Sequence, residues 1–136
     1  MVIDGTLISN GTLESPVVFR GDRLDTSEFS PPLAYNNIPG QWGEIFFRNS
    51  STGNKLNYTT IRSAVNGLQV GEFRNNNGKS TIEISNCFID NCSYAGIIGF
   101  NSSIKASNTL VSNCSYYCFA GVTGAEYEIN QCTIAD

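Results

Sequence analysis

Cysteine thiols and one row of alternating charge are the residues of this chain with the most chemical scope. Cys87-x4-Cys92 and Cys114-x3-Cys118 supply four sulfurs at spacings that a tetrahedral zinc ion accepts, and Cys132 stands apart. Glu83, Lys105 and Glu128 would form an acid–base–acid row if the fold aligned them. The chain has no histidine, which removes the commonest general base and metal ligand. The remaining acids are scattered. What these residues can do therefore depends on the elements that place them.

The elements are those of a repeat. Ile82-Glu83-Ile84-Ser85-Asn86-Cys87-Phe88-Ile89-Asp90-Asn91-Cys92-Ser93-Tyr94 recurs, 22 residues on, as Ile104 to Tyr116. It returns after a further 23 residues from Tyr127 to Asp136, and Leu56 to Ala64 is a weaker upstream copy. Self-similarity at this spacing marks a solenoid. Ile82 and Ile84 alternate with polar residues, Cys87 and Ile89 form a second inward pair, and Gly96-Ile97-Ile98-Gly99-Phe100 begins a third strand. Three strands and three corners per repeat predict an all-β, right-handed parallel β-helix of about five coils, with coils stacked about 4.8 Å apart.

Stacking assigns columns. Asn86, Asn108 and Gln131 fall at one corner, and Asn91, Asn113 and Asp136 at another, predicting amide ladders whose members also tolerate the left-handed backbone of a turn. Cys87 and Cys132 share a column with Thr109, and Cys92 and Cys114 share another, so core packing explains the thiols better than zinc. A disulfide between Cys92 and Cys114 fits the Cα spacing, but parallel Cβ vectors favour a stack of buried thiols. Glu83, Lys105 and Glu128 read as a charge ladder worth a few tenths of a kcal/mol. The expectation is no catalytic residue, no metal and no cofactor.

Residues 1–41 form an N-terminal coil or cap with a long loop, and 42–136 the regular coils of a single domain. Ile3 to Ile8 and Pro16 to Phe19 read as strands, with Asn10-Gly11 as a turn. Gly21 to Gln41 reads as a loop projecting from one corner, and residues 72–80 as a second corner insertion; such insertions often carry binding functions. The last copy stops in mid-coil at Asp136. This predicts that the chain is part of a longer protein, or that its uncapped C-terminal end associates with another copy of itself.

The Ile-x-Ile-x-Asn and Ile-x-Asn runs at 82–91, their variant copy at 104–113 and the Gly96-Ile97 that follows the first resemble the parallel β-helix repeats of the pectate-lyase-like superfamily. The opening Asp4-Gly5-Thr6-Leu7-Ile8 to Pro16-Val17-Val18-Phe19, then Trp42-Gly43, is similar to the first coils of extracellular bacterial members of unassigned function. The resemblance implies an extracytoplasmic location and a link to polysaccharides. Enzymes of that superfamily use clustered acids that hold Ca²⁺ with an Arg or Lys base, or neighbouring Asp residues; this chain has no matching cluster.

Composition narrows the partners. With net charge −4 and eight Lys and Arg spread along the chain, no basic stripe exists to bind nucleic acid. No apolar run approaches the roughly 20 residues of a membrane span. Tyr35 and Trp42 flank the proline-rich loop as candidate sugar-stacking residues, although Trp42, which starts a strand, reads first as core. Phe88 and Leu110 share an outward position, either covered by the 21–41 loop or forming a protein contact. Six Asn-x-Ser/Thr sequons, at Asn10, Asn49, Asn57, Asn91, Asn101 and Asn113, read mostly as chance in so Asn-rich a chain. The function expected is a non-catalytic module binding glycan or protein through corner loops. Alternatives are the N-terminal part of a polysaccharide lyase or hydrolase whose catalytic coils are missing, and a structural spacer.

Overall fold

Alternation of apolar and polar residues over two to six positions, broken by Asn or Gly, is realised as fifteen short strands among the described residues. The computed structural model describes residues 1–26, 28 and 32–135. Five coils follow in chain order. They are β1 (Val2–Ile3), β2 (Ile8–Asn10) and β3 (Val17–Phe19); β4 (Ile45–Phe47), β5 (Asn54–Asn57) and β6 (Thr59–Arg62); β7 (Asn66–Val70), β8 (Ser80–Ser85) and β9 (Phe88–Asp90); β10 (Ala95–Gly99), β11 (Ser102–Ser107) and β12 (Leu110–Ser112); and β13 (Tyr117–Gly121), β14 (Glu126–Asn130) and β15 (Thr133–Ala135). The first strands of each coil make sheet A (β1-β4-β7-β10-β13), the second make sheet B and the third sheet C, each five-stranded and parallel throughout. This is a parallel β-helix, as the repeat predicts. No helix among the described residues is long and apolar enough to cross a membrane.

The core is built of vertical columns. Ile45, Leu68 and Ile97 pair in register from sheet A, Leu56 and Ile84 from sheet B, and Ile61, Ile89 and Val111 from sheet C. All of them are at most 2% exposed, and burying each such side chain is worth about 1.5–3 kcal/mol.

The corners need left-handed backbone, and the residues that supply it recur at fixed places. Tyr58, Asn86, Asn108 and Gln131 have φ between 44° and 54° at the B–C corner; Ser63, Asn91 and Asn113 have φ between 51° and 60° at the C–A corner. At the B–C corner Asn108 donates to Asn86 (2.7 Å), the first rung of the expected amide ladder, and Asn86 to Asn57 (2.8 Å) and Asn57 to Asn10 (2.9 Å) continue it to the first coil through the position before the column, which Tyr58 holds. Gln131 keeps the backbone conformation of this column. The C–A ladder is built differently. Asn91 donates to Ser63 Oγ (3.0 Å), whereas Asn113 donates not to Asn91 but to Asp90 Oδ1 (2.7 Å), which also accepts from Ser112 (3.1 Å). A carboxylate is the stronger acceptor and takes the amide. Asp136, the expected last rung, lies outside the described residues.

At the A–B corner, Gly71 sits at φ +84°, and a Cβ there would overlap the Phe100 carbonyl oxygen of the next coil.

The first coil corrects one expectation. Ile3 to Ile8 is not one strand: Asp4 to Leu7 turns a corner between β1 and β2. Ile3 and Leu7, on either side of the corner, both pack on the core, while Ile8 opens β2 facing outward at 67% exposure. The 21–41 segment leaves the C–A corner as an insertion containing a 3₁₀ turn at Tyr35–Asn37, and Ser63 ties it back by donating to the Asn36 carbonyl (2.6 Å). The second insertion, between β7 and β8, is held by Asn49, which donates to the Asn75 carbonyl (2.6 Å) and accepts from the Glu72 amide (2.8 Å).

Because Asn86 combines a left-handed backbone with two ladder bonds, Asn86→Ala is expected to cost about 2 kcal/mol and Asn86→Gly less, read from urea-unfolding midpoints.

Candidate functional site

Sheet A carries the candidate site on its outer face. In β10 all five residues are buried, including the outward-pointing Ile98 at 7% exposure. Ile98 pairs in register with Ala120 of the next coil, and the two make an apolar floor. One wall rises at the C–A corner from Tyr94 and Tyr117, with ring centroids 5.9 Å apart and planes at 82°. Tyr116 extends this wall, 5.3 Å from Tyr94. The other wall, at the A–B corner, is Phe100 with Phe73 of the second insertion set edge-on against it at 5.5 Å, then Val122.

The space between the walls is a trough of about 500 Å³. No charged side chain lines it among the described residues. At one end the Arg74 guanidinium lies over the Phe73 ring at 4.8 Å. Phe73, Tyr94 and Tyr117 are 40–57% exposed, so their rings are offered to a ligand.

The two insertions border this same sheet. The 21–41 segment emerges at the C–A corner, where Gly40 lies against Ser93, next to Tyr94. The segment between β7 and β8 emerges at the A–B corner and contributes Phe73 itself.

The sugar-stacking candidates read from sequence lie elsewhere. Tyr35 already carries the Arg23 guanidinium 3.7 Å above its ring. Trp42 packs against the core, bridges in parallel to Ala64 and donates its indole N–H to the Arg62 carbonyl (2.7 Å), which commits it to structure. The trough aromatics carried a sequence signal of their own. Consecutive Ile97 and Ile98 are apolar on both faces of one strand, which implies that the outer face is covered or used. Ser-Tyr at 93–94 recurs at 115–116, which stacks tyrosines at one corner.

Phe88 and Leu110 pair in register on the outer face of sheet C, between Thr60 and Thr133. Leu110 is 36% exposed and borders a hollow of about 250 Å³ with Leu13 and Tyr58 on its rim. The described part of the 21–41 segment is tied to Ser63 at the next corner.

The charged row lies on sheet B and is longer than its sequence reading. Lys55 pairs with Glu83, Glu83 with Lys105, and Lys105 with Glu128. Lys55–Glu83 and Lys105–Glu128 approach to 3.3 and 3.8 Å, with all four side chains about 60% exposed. Alternating charge in open solvent makes a ladder, not an acid–base site. Asp90, the one buried carboxylate among the described residues, is held by Ser112, Asn113 and Arg62 (3.4 Å) and is committed to its corner.

Among the described residues no group of His, Cys, Asp and Glu is placed to hold a metal ion. Five of the six sequon asparagines use their side-chain N–H in hydrogen bonds, and Asn49 is 2% exposed; a glycan on any of these would break a corner contact. Compared with protein-family models, curated proteins and solved structures, the chain matches none.

Glu83→Gln removes the central acid of the row. As a ladder member it should shift unfolding free energy by less than about 0.5 kcal/mol in urea titrations. A loss several times larger would mean that the row does more than screen its neighbours.

Proposed function

We propose that this chain is a non-catalytic β-helix module of an extracytoplasmic protein of pectate-lyase-like type, and that it binds glycan on the outer face of sheet A. The observation that carries this reading is the uncharged trough between two aromatic walls. Sugar rings have apolar C–H faces and hydroxyl-bearing edges. Aromatic rings cover the former at little entropic cost, and the Tyr94 and Tyr117 hydroxyls are available to the latter. Pockets of this kind, mostly apolar with a few polar groups, are those that hold small or narrow ligands.

The floor strand β10 is paired on both sides, with β7 and β13, so the middle of the trough offers side chains and not a backbone edge. The trough spans a single five-residue strand, roughly 13 Å, which suits one polymer chain lying between the walls. The extracytoplasmic placement rests on the sequence resemblance, as does the superfamily. The scattered acids support a binding role over catalysis.

Titration calorimetry against a panel of neutral oligosaccharides tests the proposal. Binding is expected, and Tyr94→Ala and Tyr117→Ala should each weaken it about tenfold while circular dichroism shows the fold retained, because both rings are about half exposed. Absence of binding to every saccharide, or affinities indifferent to both substitutions, would overturn it.

A further inference from the structure

Cys132 is partly exposed and donates to the Asn130 carbonyl (3.3 Å), and the four buried thiols occupy two environments. Cys87 has Thr109 as its neighbour in the next coil, whose hydroxyl accepts from the Cys87 backbone N–H (3.3 Å), and burial pushes its thiol up. Cys92, Cys114 and Cys118 instead converge inside the C–A corner of the third, fourth and fifth coils. No disulfide joins any of the five.

Cys92 and Cys114 are stacked one on the other. Each follows an asparagine in left-handed conformation, and the Ser115 amide donates to the Cys92 carbonyl (3.0 Å), continuing the parallel register around the corner. Coils in register hold equivalent Cα atoms about 4.8 Å apart, inside the range a disulfide spans. Gly67 and Gly96 border the pair: a Cβ on Gly67 would meet the Gly96 carbonyl oxygen at 2.5 Å and Ile89 Cγ2 at 2.7 Å, with Cys92 Sγ at 3.4 Å, and one on Gly96 would meet Val111 Cγ1 at 2.4 Å and the Cys118 carbonyl oxygen at 2.6 Å, with Cys114 Sγ at 3.1 Å. In the coil below, Ala64 occupies the place of Cys92, so packing alone does not require sulfur in this column.

We propose that Cys92 and Cys114 are an oxidation site, which hydrogen peroxide converts into a disulfide linking the third and fourth coils. Cys92 is 0% and Cys114 3% exposed, so the oxidant must be small enough to enter during local fluctuations, which excludes bulky disulfides such as oxidised glutathione. The neighbouring sulfur of Cys114 holds Cys92 below the ordinary thiol range, while the Cys92 sulfur, with burial added, pushes Cys114 up; each thiol also donates to a backbone carbonyl two residues before it, Cys114 to Ser112 (3.3 Å) and Cys92 to Asp90 (3.8 Å). Cys92 is thus the nucleophile. Its thiolate attacks one peroxide oxygen, the O–O bond breaks, and the second oxygen leaves as hydroxide and takes up a proton to become water. Cys92 is left as a sulfenic acid. Cys114 sulfur then attacks Cys92 Sγ and displaces its hydroxyl, which leaves as water with the Cys114 proton. Two thiols and one hydrogen peroxide give one disulfide and two waters, with two electrons passing from sulfur to oxygen.

The test is peroxide treatment of the folded, reduced chain, followed by quenching, alkylation in denaturant and peptide mapping. A Cys92–Cys114 cross-link is expected, with Cys87 recovered alkylated and the thermal midpoint raised. Cys118→Ala should leave the cross-link intact. Cys114→Ala, which introduces the residue already present at position 64 of this column, should abolish it and leave Cys92 open to trapping by a sulfenic-acid reagent. The proposal is overturned if Cys92 and Cys114 are both recovered alkylated. It is equally overturned if Cys114 couples to Cys118, or if Cys87 is oxidised as readily as Cys92.

Discussion

Parallel pairing in strict register is the constraint on which the rest of this molecule depends. Each strand of the three inner coils meets its equivalent in the coil above and below without slippage, so a residue's nearest neighbours there are copies of its own position. A column can then hold only residues that tolerate their own kind at strand spacing. Branched aliphatics satisfy this in the core, as Ile61, Ile89 and Val111 do, and asparagine satisfies it at the B–C corner because an amide both donates and accepts. A carboxylate column would repel itself. Asp90 therefore stands alone among amides and hydroxyls, with Arg62 beside it, and Glu83 and Lys105 alternate.

The same constraint gives each outer face its own chemistry. Sheet B is charged and solvated, sheet C carries threonines around the Phe88–Leu110 pair, and sheet A carries the apolar floor of Ile98 and Ala120. Both insertions leave the chain at the two corners that flank sheet A, and one of them supplies Phe73 to the trough, while the opposite wall is built of tyrosines from the corners of later coils. A flat strand face becomes a trough when its corners grow, and the walls were lengthened without disturbing the register beneath. Gly71 shows how tight that junction is: the backbone of the fourth coil passes where a side chain would be.

Most of the fold was legible in the sequence because repetition amplifies a weak signal. One Ile-x-Ile-x-Asn run is ambiguous, whereas that run and its two variant copies at nearly constant spacing fix strands, corners and inward columns together. The first coil was less legible, since Ile3 to Ile8 has no neighbouring copy to reveal the corner at Gly5. The C–A ladder was misread in detail for a different reason. Spacing aligned Asn91 with Asn113, but spacing carries no information on which acceptor an amide prefers, and Asp90 is the better one. The site was largely illegible. Tyr35 and Trp42 stood out because they flank a proline-rich loop, yet an arginine over one ring and an indole hydrogen bond on the other had already used them.

The trough residues were hidden by the very regularity that exposed the fold. Tyr94 and Tyr116 sit at the end of a repeat and read as its last letters, and Phe73 lies in an insertion with no repeat to compare. Columns report what stacking requires, so a residue that obeys the column is explained before any function is asked of it. Functional information in such a chain lies where the repeat is exceeded: an inward position occupied by sulfur over glycine, an outward position as apolar as the core, a corner longer than its neighbours. Ile98 meets the second condition and Phe73 the third, on the same face of the same sheet. Their coincidence there, more than either departure by itself, marks sheet A as the face that stacking alone does not account for.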